Sequence, residues 1–348
     1  MTTQNMKMKG CDKMEKIICF NCEKINDYEI RKVTRKYEGD GYSFEMEVEV
    51  PFCSKCGREL VSESIEEQIR EKANAIIRKQ RDIITQGEII EILDKYSTSQ
   101  KFLSRLLGWG EITLTRYVGG NYTPNQENSA RLKSLSNPYV FQSILNEKCL
   151  DTHKEMQKEM SYKKAQAKVN DELIKLEKEN SKIFSVIHWF LSQATEEFPI
   201  THLALEKLLY FVQSWSVALT GKWMFDDDCQ AWVHGAVYPQ VYEMFKGFGY
   251  QPLPRVNYEM ELSEEDIKIL NMVKLCYFDV YSAKTLEKVC HLEQPYQEAR
   301  KGYLEEQACQ EIIDKEQIKS YYERVKQKYN ISLEDISGVK KYLNCILG

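Results

Sequence analysis

The sequence predicts a mainly α, multidomain chain. It should comprise an N-terminal metal-bound β-hairpin module, a central five-helix module and a C-terminal, mainly helical domain with a few short strands. Three observations support this. Two Cys-x-x-Cys pairs bracket strand-like alternation within residues 14–60. Short helical segments separated by turn residues fill 82–146. Leu, Tyr, Phe and Trp recur at helical spacing through 182–348. Between the last two, residues 149–181 are strongly charged with few apolar positions, which predicts an exposed linker helix. There is no internal repeat and no low-complexity tract.

At roughly 100–200 residues per domain, 348 residues make two or three domains. A hydrophobic content of 43% supplies packed cores. The net charge of −5 means that no global field draws the chain onto nucleic acid, so any DNA contact must come from a local patch. No apolar run has the length of a membrane span. Met1 to Met14 is polar and lacks the apolar core of a secretion signal, so a cytoplasmic location is expected. Eleven cysteines is an odd number. Cys229, Cys276, Cys290, Cys309 and Cys345 lie among apolar helical residues and read as small core hydrophobes. In a reducing compartment a Cys-x-x-Cys pair points to metal or redox chemistry.

The first module carries Cys19-Phe20-Asn21-Cys22 and Cys53-Ser54-Lys55-Cys56-Gly57. A tight turn places both thiolates of a pair on one ion, and Gly57 suits the positive φ of such a turn. Between the pairs, Tyr42, Phe44, Met46, Val48 and Val50 alternate with Ser43, Glu45, Glu47 and Glu49. A preceding strand at about 28–37 pairs with this one across Glu38–Gly41, returning the chain to its start so that the two pairs meet. Four sulfurs then hold one structural Zn2+ through Cys19, Cys22, Cys53 and Cys56. In so small a module the metal supplies most of the folding energy. A thioredoxin-like redox role needs a βαβ context, which is absent. Four unrelated thiols is the bland alternative. Cys11 is a fifth, exposed thiol.

In the middle of the chain, a helix at about 86–95 places Ile89, Ile90 and Leu93 on one face. Ser99 caps a second helix with Leu103, Leu106 and Leu107 inward, and Gly108 ends it. A third, at about 110–117, turns Leu114 and Tyr117 inward. A helix-turn-helix needs a small residue where its helices cross and a glycine in the turn four residues on; Ser104 and Gly108 meet both needs. The outer side of helix three then presents Glu111, Ile112, Thr115 and Arg116 to base edges. Lys101 and Arg105 are expected at phosphates. From 97 to 133 five basic residues face two acidic ones. That patch is adequate for a dimer and weak for a monomer. A helical bundle with a solvated basic face is the alternative.

The paired cysteines, the hairpin and the run SQKFLSRLLGWGEITLTRYVGGN together resemble MqsA/YgiT-type antitoxins with a Cro/repressor-like helix-turn-helix, over about residues 14–146. That resemblance implies operator binding as a homodimer. Val118 and Gly119 stand where an acidic residue and Asn are common, and Ile112 is apolar, so the operator sequence does not carry over.

In the last domain Leu205, Leu208, Leu209, Phe211, Val212, Trp215 and Leu219 form a broad apolar face on one helix, ended by Gly221. Asp226-Asp227-Asp228 leads into Cys229–Pro239, and a further helix carries Val241, Tyr242, Met244 and Phe245. Ser263-Glu264-Glu265-Asp266 opens another helix as a capping box, and Pro295 sits at a helix start. The run EKLLYFVQSWSVALTGKWMFDDDCQAWVHGAVYPQVYEMFKGFG, with HLEQPYQEARKG, resembles the Panacea (SocA-like) antitoxin domain over roughly 182–310. That resemblance implies a compact helical domain that binds and inactivates a cognate toxin. Trp215, Trp232, His234 and Tyr238 are its contact candidates, with core packing the bland reading of both tryptophans.

No catalytic residue is assigned. His188, His202, His234 and His291 read as isolated, Cys290 and His291 are helix neighbours that do not face each other, and no phosphate loop or nucleophile elbow occurs. Asp226 to Asp228 read as a solvated loop. The sequence therefore predicts a non-enzymatic antitoxin of a type II system, with toxin and operator DNA as partners and no membrane contact. Alternatives are an adaptor that delivers a client to a AAA+ protease and a ligand-responsive transcriptional regulator.

Overall fold

The computed structural model describes residues 17–39, 42–120, 122–150, 158–257 and 261–348. Cys11 and the linker's start at 151–157 lie outside them. The chain divides into two units: residues up to Thr85 with Pro124–Ser129, and Gln86–Thr123 with Ala130–Gly348. Fifteen α-helices and six strands occur among the described residues.

The first unit is a β-hairpin module. Strands β1 (Ile18–Cys19) and β2 (Lys24–Ile25) pair antiparallel. So do the long strands β3 (Tyr28–Gly39) and β4 (Tyr42–Cys53), with Val33 opposite Val48 and Tyr28 opposite Cys53. The alternation has its expected consequence, since Val48 and Val50 are buried while Glu45, Glu47 and Glu49 are exposed. On the polar face Lys36 lies opposite Glu45, and Lys32 opposite Glu49 with an ion pair to Glu47 at 2.9 Å. A helix α1 (Glu63–Gln80), absent from the expectations above, covers the apolar face with Ile69 and Ala73. Ser62 caps it, and Arg35 of β3 bonds Glu66 at 3.1 Å. Its apolar residues are sparse, so period alone did not reveal it. At this unit's other segment, Ser129 Oγ accepts from the Ile84 N–H at 2.7 Å.

The second unit opens with α2 (Gln86–Lys95), α3 (Gln100–Leu106) and α4 (Thr113–Val118). α5 (Gln126–Ser134), which belongs to this unit from Ala130 onward, and α6 (Pro138–Leu150) follow. On α2, Ile92 rather than Ile90 joins Ile89 and Leu93 in the core; Ile90 is exposed. The charged stretch forms α7 (Met160–Glu179), and this is no free linker. Ala165, Val169 and Leu173, four residues apart, make one fully buried stripe, and Gln142 and Gln166 bond each other across α6 and α7 at 2.7 Å.

Helix α8 (Ile183–Gln193) and α9 (His202–Thr220) form the centre. α9 is buried on nearly every side, as a helix apolar around most of its circumference must be. Thr201 caps its start, and Gly221 at φ +76° ends it in the left-handed region. Around it pack α11 (Glu264–Val273), α12 (Ala283–Leu292) and α14 (Lys315–Tyr329). The small hairpin β5 (Gln230–Trp232) and β6 (Gly235–Val237), then α10 (Pro239–Phe245), complete one end. α13 (Gln294–Ala299) and α15 (Ser337–Leu347) close the unit. The capping box at Ser263 forms with Asp266.

Candidate functional site

The cysteines converge because hairpin register brings the end of β4 back to β1. In the turn between β1 and β2, the Cys22 N–H donates to the Cys19 carbonyl at 3.1 Å. In the matching turn after β4 the Gly57 N–H donates to the Cys53 carbonyl at 2.8 Å, with Gly57 at φ +67°. The four sulfurs all lie within 4.8 Å of one another, with Cys19 and Cys56 3.6 Å apart and no disulfide between them. A tetrahedral ion with sulfurs at about 2.3 Å sets them roughly 3.8 Å apart, so the cluster already has nearly that size. The Arg58 backbone N–H holds the Cys56 thiol down to about 6, and the Cys56 backbone N–H lowers that of Cys53. Hydrogen bonding with Cys56 pushes Cys22 up to about 12. Four converging soft donors, some favoured as thiolates, form a set that could hold a metal ion.

In the second unit, Ser104 of α3 is fully buried where α4 crosses, and its Oγ accepts from the Leu114 N–H at 3.2 Å. Gly108 takes φ +73° in the turn. α4 starts at Thr113, later than the 110 expected, because Gly110–Ile112 form a turn closed by the Thr113 N–H on the Gly110 carbonyl. Leu114 is buried, but Tyr117 is only half-buried, edge-on to Trp109 at 6.2 Å. Glu111, Ile112, Thr115 and Arg116 are all exposed. The Arg116 guanidinium lies over Tyr122 at 5.3 Å. Lys101 pairs with Glu111 at 2.9 Å, and Arg105 makes a two-pronged bond to Glu159 at 2.8 and 3.2 Å. Both proposed phosphate contacts are thus already ion-paired.

Two of the four protein-contact candidates belong to the core. Trp215 is fully buried, donates to the Tyr277 hydroxyl at 2.8 Å and packs edge-on against Tyr322. Tyr238 is 1% exposed, and its N–H donates to Glu206 at 2.8 Å. Neither side chain reaches the surface. Trp232 and His234 do, at the tip of the β5–β6 hairpin. Trp232 packs on Tyr242 with ring centroids 4.8 Å apart. The His234 Nδ1 lies 3.2 Å from Glu287.

That hairpin borders a cleft of about 640 Å³, which α9 also lines with His202, Glu206 and Lys207. Lys207 is fully buried and donates to the Ala236 carbonyl at 2.7 Å; burial pushes its pKa down. Glu206 is held by His202 at 3.2 Å and by the Tyr238 N–H. Burial works to raise the Glu287 pKa, but Lys284 and His234 outweigh it and hold the group below the usual carboxylate range. The histidines expected to be isolated therefore mostly have acidic partners. His188, fully buried, bridges the Tyr139 hydroxyl at 2.6 Å and Glu177 at 3.2 Å. Only the His202/Glu206 pair, one helical turn apart, had a local signal. Of the acids in the turn Asp226 to Asp228, Asp227 accepts from Ser181 and Gln240, and Asp228 pairs with Lys315 at 2.7 Å.

Sequence comparison places a known family on this same region. Residues 205–297, just over a quarter of the chain, match the family described as antitoxin SocA-like, Panacea domain. The match runs from the first turn of α9 through the β5–β6 hairpin into α13. It supports an antitoxin-type, non-enzymatic regulatory role with a toxin as partner. No curated protein matches the chain. No helix among the described residues is long and apolar enough to cross a membrane.

Proposed function

We propose that this chain is the antitoxin of a type II system: its C-terminal part, residues 182–348, neutralises a toxin by direct binding, and its N-terminal part represses the shared operon. The observation that carries the reading is the match of residues 205–297 to an antitoxin domain family. His234, exposed at the hairpin tip, and the half-buried Trp232 are the retained contact candidates.

Residues 14–60 are then a zinc-ribbon-like module with one structural Zn2+ on Cys19, Cys22, Cys53 and Cys56. The four converging sulfurs support this assignment, and with all four positions filled the ion supplies folding energy and no open site for water. Residues 82–146 are a helix-turn-helix reader. Support comes from Ser104 at the crossing, Gly108 in the turn and the exposed set Glu111, Ile112, Thr115 and Arg116. Arg116 is assigned to a guanine edge. Lys101 and Arg105 reach phosphates only by exchanging Glu111 and Glu159 for DNA, which lowers their net gain. A homodimer on half-sites about one helical turn apart completes the scheme.

The test is co-expression of the full chain with the product of the neighbouring gene in the same cytoplasm. Growth arrest by that product alone, relief by the full chain and co-purification of the two are expected. Arrest that the full chain leaves unrelieved overturns the reading.

A further inference from the structure

The β5–β6 hairpin has a third member. After α13 the chain returns along β5, and Gln230 stands opposite Ile312 in antiparallel register. The Ala231 N–H donates to the Glu311 carbonyl at 2.8 Å, and the Ile313 N–H to the Cys229 carbonyl at 2.9 Å. Along such a strand the backbone groups of successive residues turn to opposite sides. The Glu311 carbonyl and the Ile313 N–H face β5, so the N–H and C=O of Ile312, between them, face away from it. No described residue bonds either group. With β6 on the other side of β5, Ile312 is the outer edge of this small sheet, and its side chain is 54% exposed. Native proteins usually cover or blunt such an edge, because its free donors and acceptors pair with another chain.

The edge runs straight into the cleft. Ala308 and Gln310, just before Ile312, line the 640 Å³ space together with Leu203, Val233, Tyr242 and Tyr250. Tyr250 is 94% exposed. The charged groups of the cleft already have partners. Lys246 pairs with Glu243, Lys284 with Glu287 and Glu206 with His202, and Lys207 is held on the Ala236 carbonyl beneath Gly235. An occupant therefore meets apolar side chains in the cleft and an unpaired backbone N–H and C=O beside it. A small apolar molecule would satisfy only the first. An extended polypeptide satisfies both, since its backbone adds to the edge while a side chain enters the pocket.

We propose that this edge and cleft together take an extended segment of the toxin, which adds as a further strand along Gln310–Ile312 and places a large apolar side chain in the cleft. The identity of the partner rests on the antitoxin reading; the mode of docking rests on the open edge and the neutral, apolar cleft.

The test combines hydrogen exchange and affinity measurements on the full chain with the product of the neighbouring gene. The Ile312 amide, unpaired in the chain alone, should exchange about ten-fold or more slowly in the complex. Ile312→Pro, which removes that N–H, should weaken binding about five-fold or more, while Ile312→Val, which keeps it, should stay within about two-fold. Ala308→Arg, altered at an exposed position, sets a long charged chain in the cleft and should weaken binding about ten-fold or more. Circular dichroism checks the folding of each variant, and the exchange result stands even if Ile312→Pro fails to fold. No binding by the unaltered chain overturns the antitoxin reading and this proposal with it. A complex in which the Ile312 amide exchanges as fast as before, or which folded Ala308→Arg forms as tightly, overturns this proposal alone. So does protection of that amide in the chain alone that rises with protein concentration, which assigns the edge to a second copy of the chain.

Discussion

Gly235 is packed so closely onto Lys207 that a Cβ at position 235 would stand 2.7 Å from the lysine Cε and 3.0 Å from its Nζ. Gly235 also sits at φ +97°, where a side chain is strained in any case. The hairpin tip can lie over the buried amine only because residue 235 has no side chain.

Two glycine substitutions separate strain from contact. Gly221 has φ +76° with open space around it, so Gly221→Ala should cost only the backbone term, roughly 1–2 kcal/mol. Gly235→Ala adds overpacking and should cost about 1–3 kcal/mol more. Urea unfolding of both variants measures the difference. Equal losses would mean that Lys207 yields freely and the close packing has no energetic weight.

Glu293 gives the second unit a pH dependence. It is fully buried, and its carboxylate accepts from Tyr210 and Tyr322 at 2.8 Å and Tyr342 at 2.7 Å. Burial pushes its pKa up to about 7 despite the three hydroxyls that favour the charge. A carboxyl with a raised folded pKa contributes most below its unfolded value. That contribution is lost as pH rises through about 7, because the unfolded chain releases its proton first. Stability should therefore fall by a few kcal/mol (order of magnitude) between pH 4.5 and 7 from this group. Glu293→Gln should flatten that component in denaturant titrations at successive pH values. An unchanged slope would remove Glu293 as its source.

For the cysteine cluster, metal analysis of the purified chain should find one zinc. Cys53→Ser should lower that content and unfold the β1–β4 module, while helical circular dichroism from the second unit persists. Full metal content in Cys53→Ser would assign the ion elsewhere.

In gel shifts on the chain's own promoter, Arg116→Ala should cost about 1–3 kcal/mol and relax preference at one base. Lys101→Ala should weaken all sequences alike and by less, since Lys101 must first leave Glu111. Operator binding unchanged by Arg116→Ala would reject this face as the reader.

Local chemistry explains how much of the molecule was readable from sequence alone. The alternation of β4, the two Cys-x-x-Cys turns, the caps at Ser99 and Ser263, and the stop at Gly221 each depend on residues a few positions apart. So the mainly helical class, the hairpin and the sulfur cluster followed from spacing. What packing decided was hidden. α7 looked like a charged linker because a stripe of Ala165, Val169 and Leu173 is narrow, yet neighbouring helices cover all of it. Trp215 and Tyr238 looked like possible contacts because an aromatic serves core and interface equally well until burial is known. Lys207 under Gly235, and Glu293 among tyrosines 83, 29 and 49 residues away, owe their character to desolvation by distant parts of the chain. Spacing along a chain sets local turns and faces, whereas the charge state and partners of a buried group are set by whatever the finished fold brings beside it.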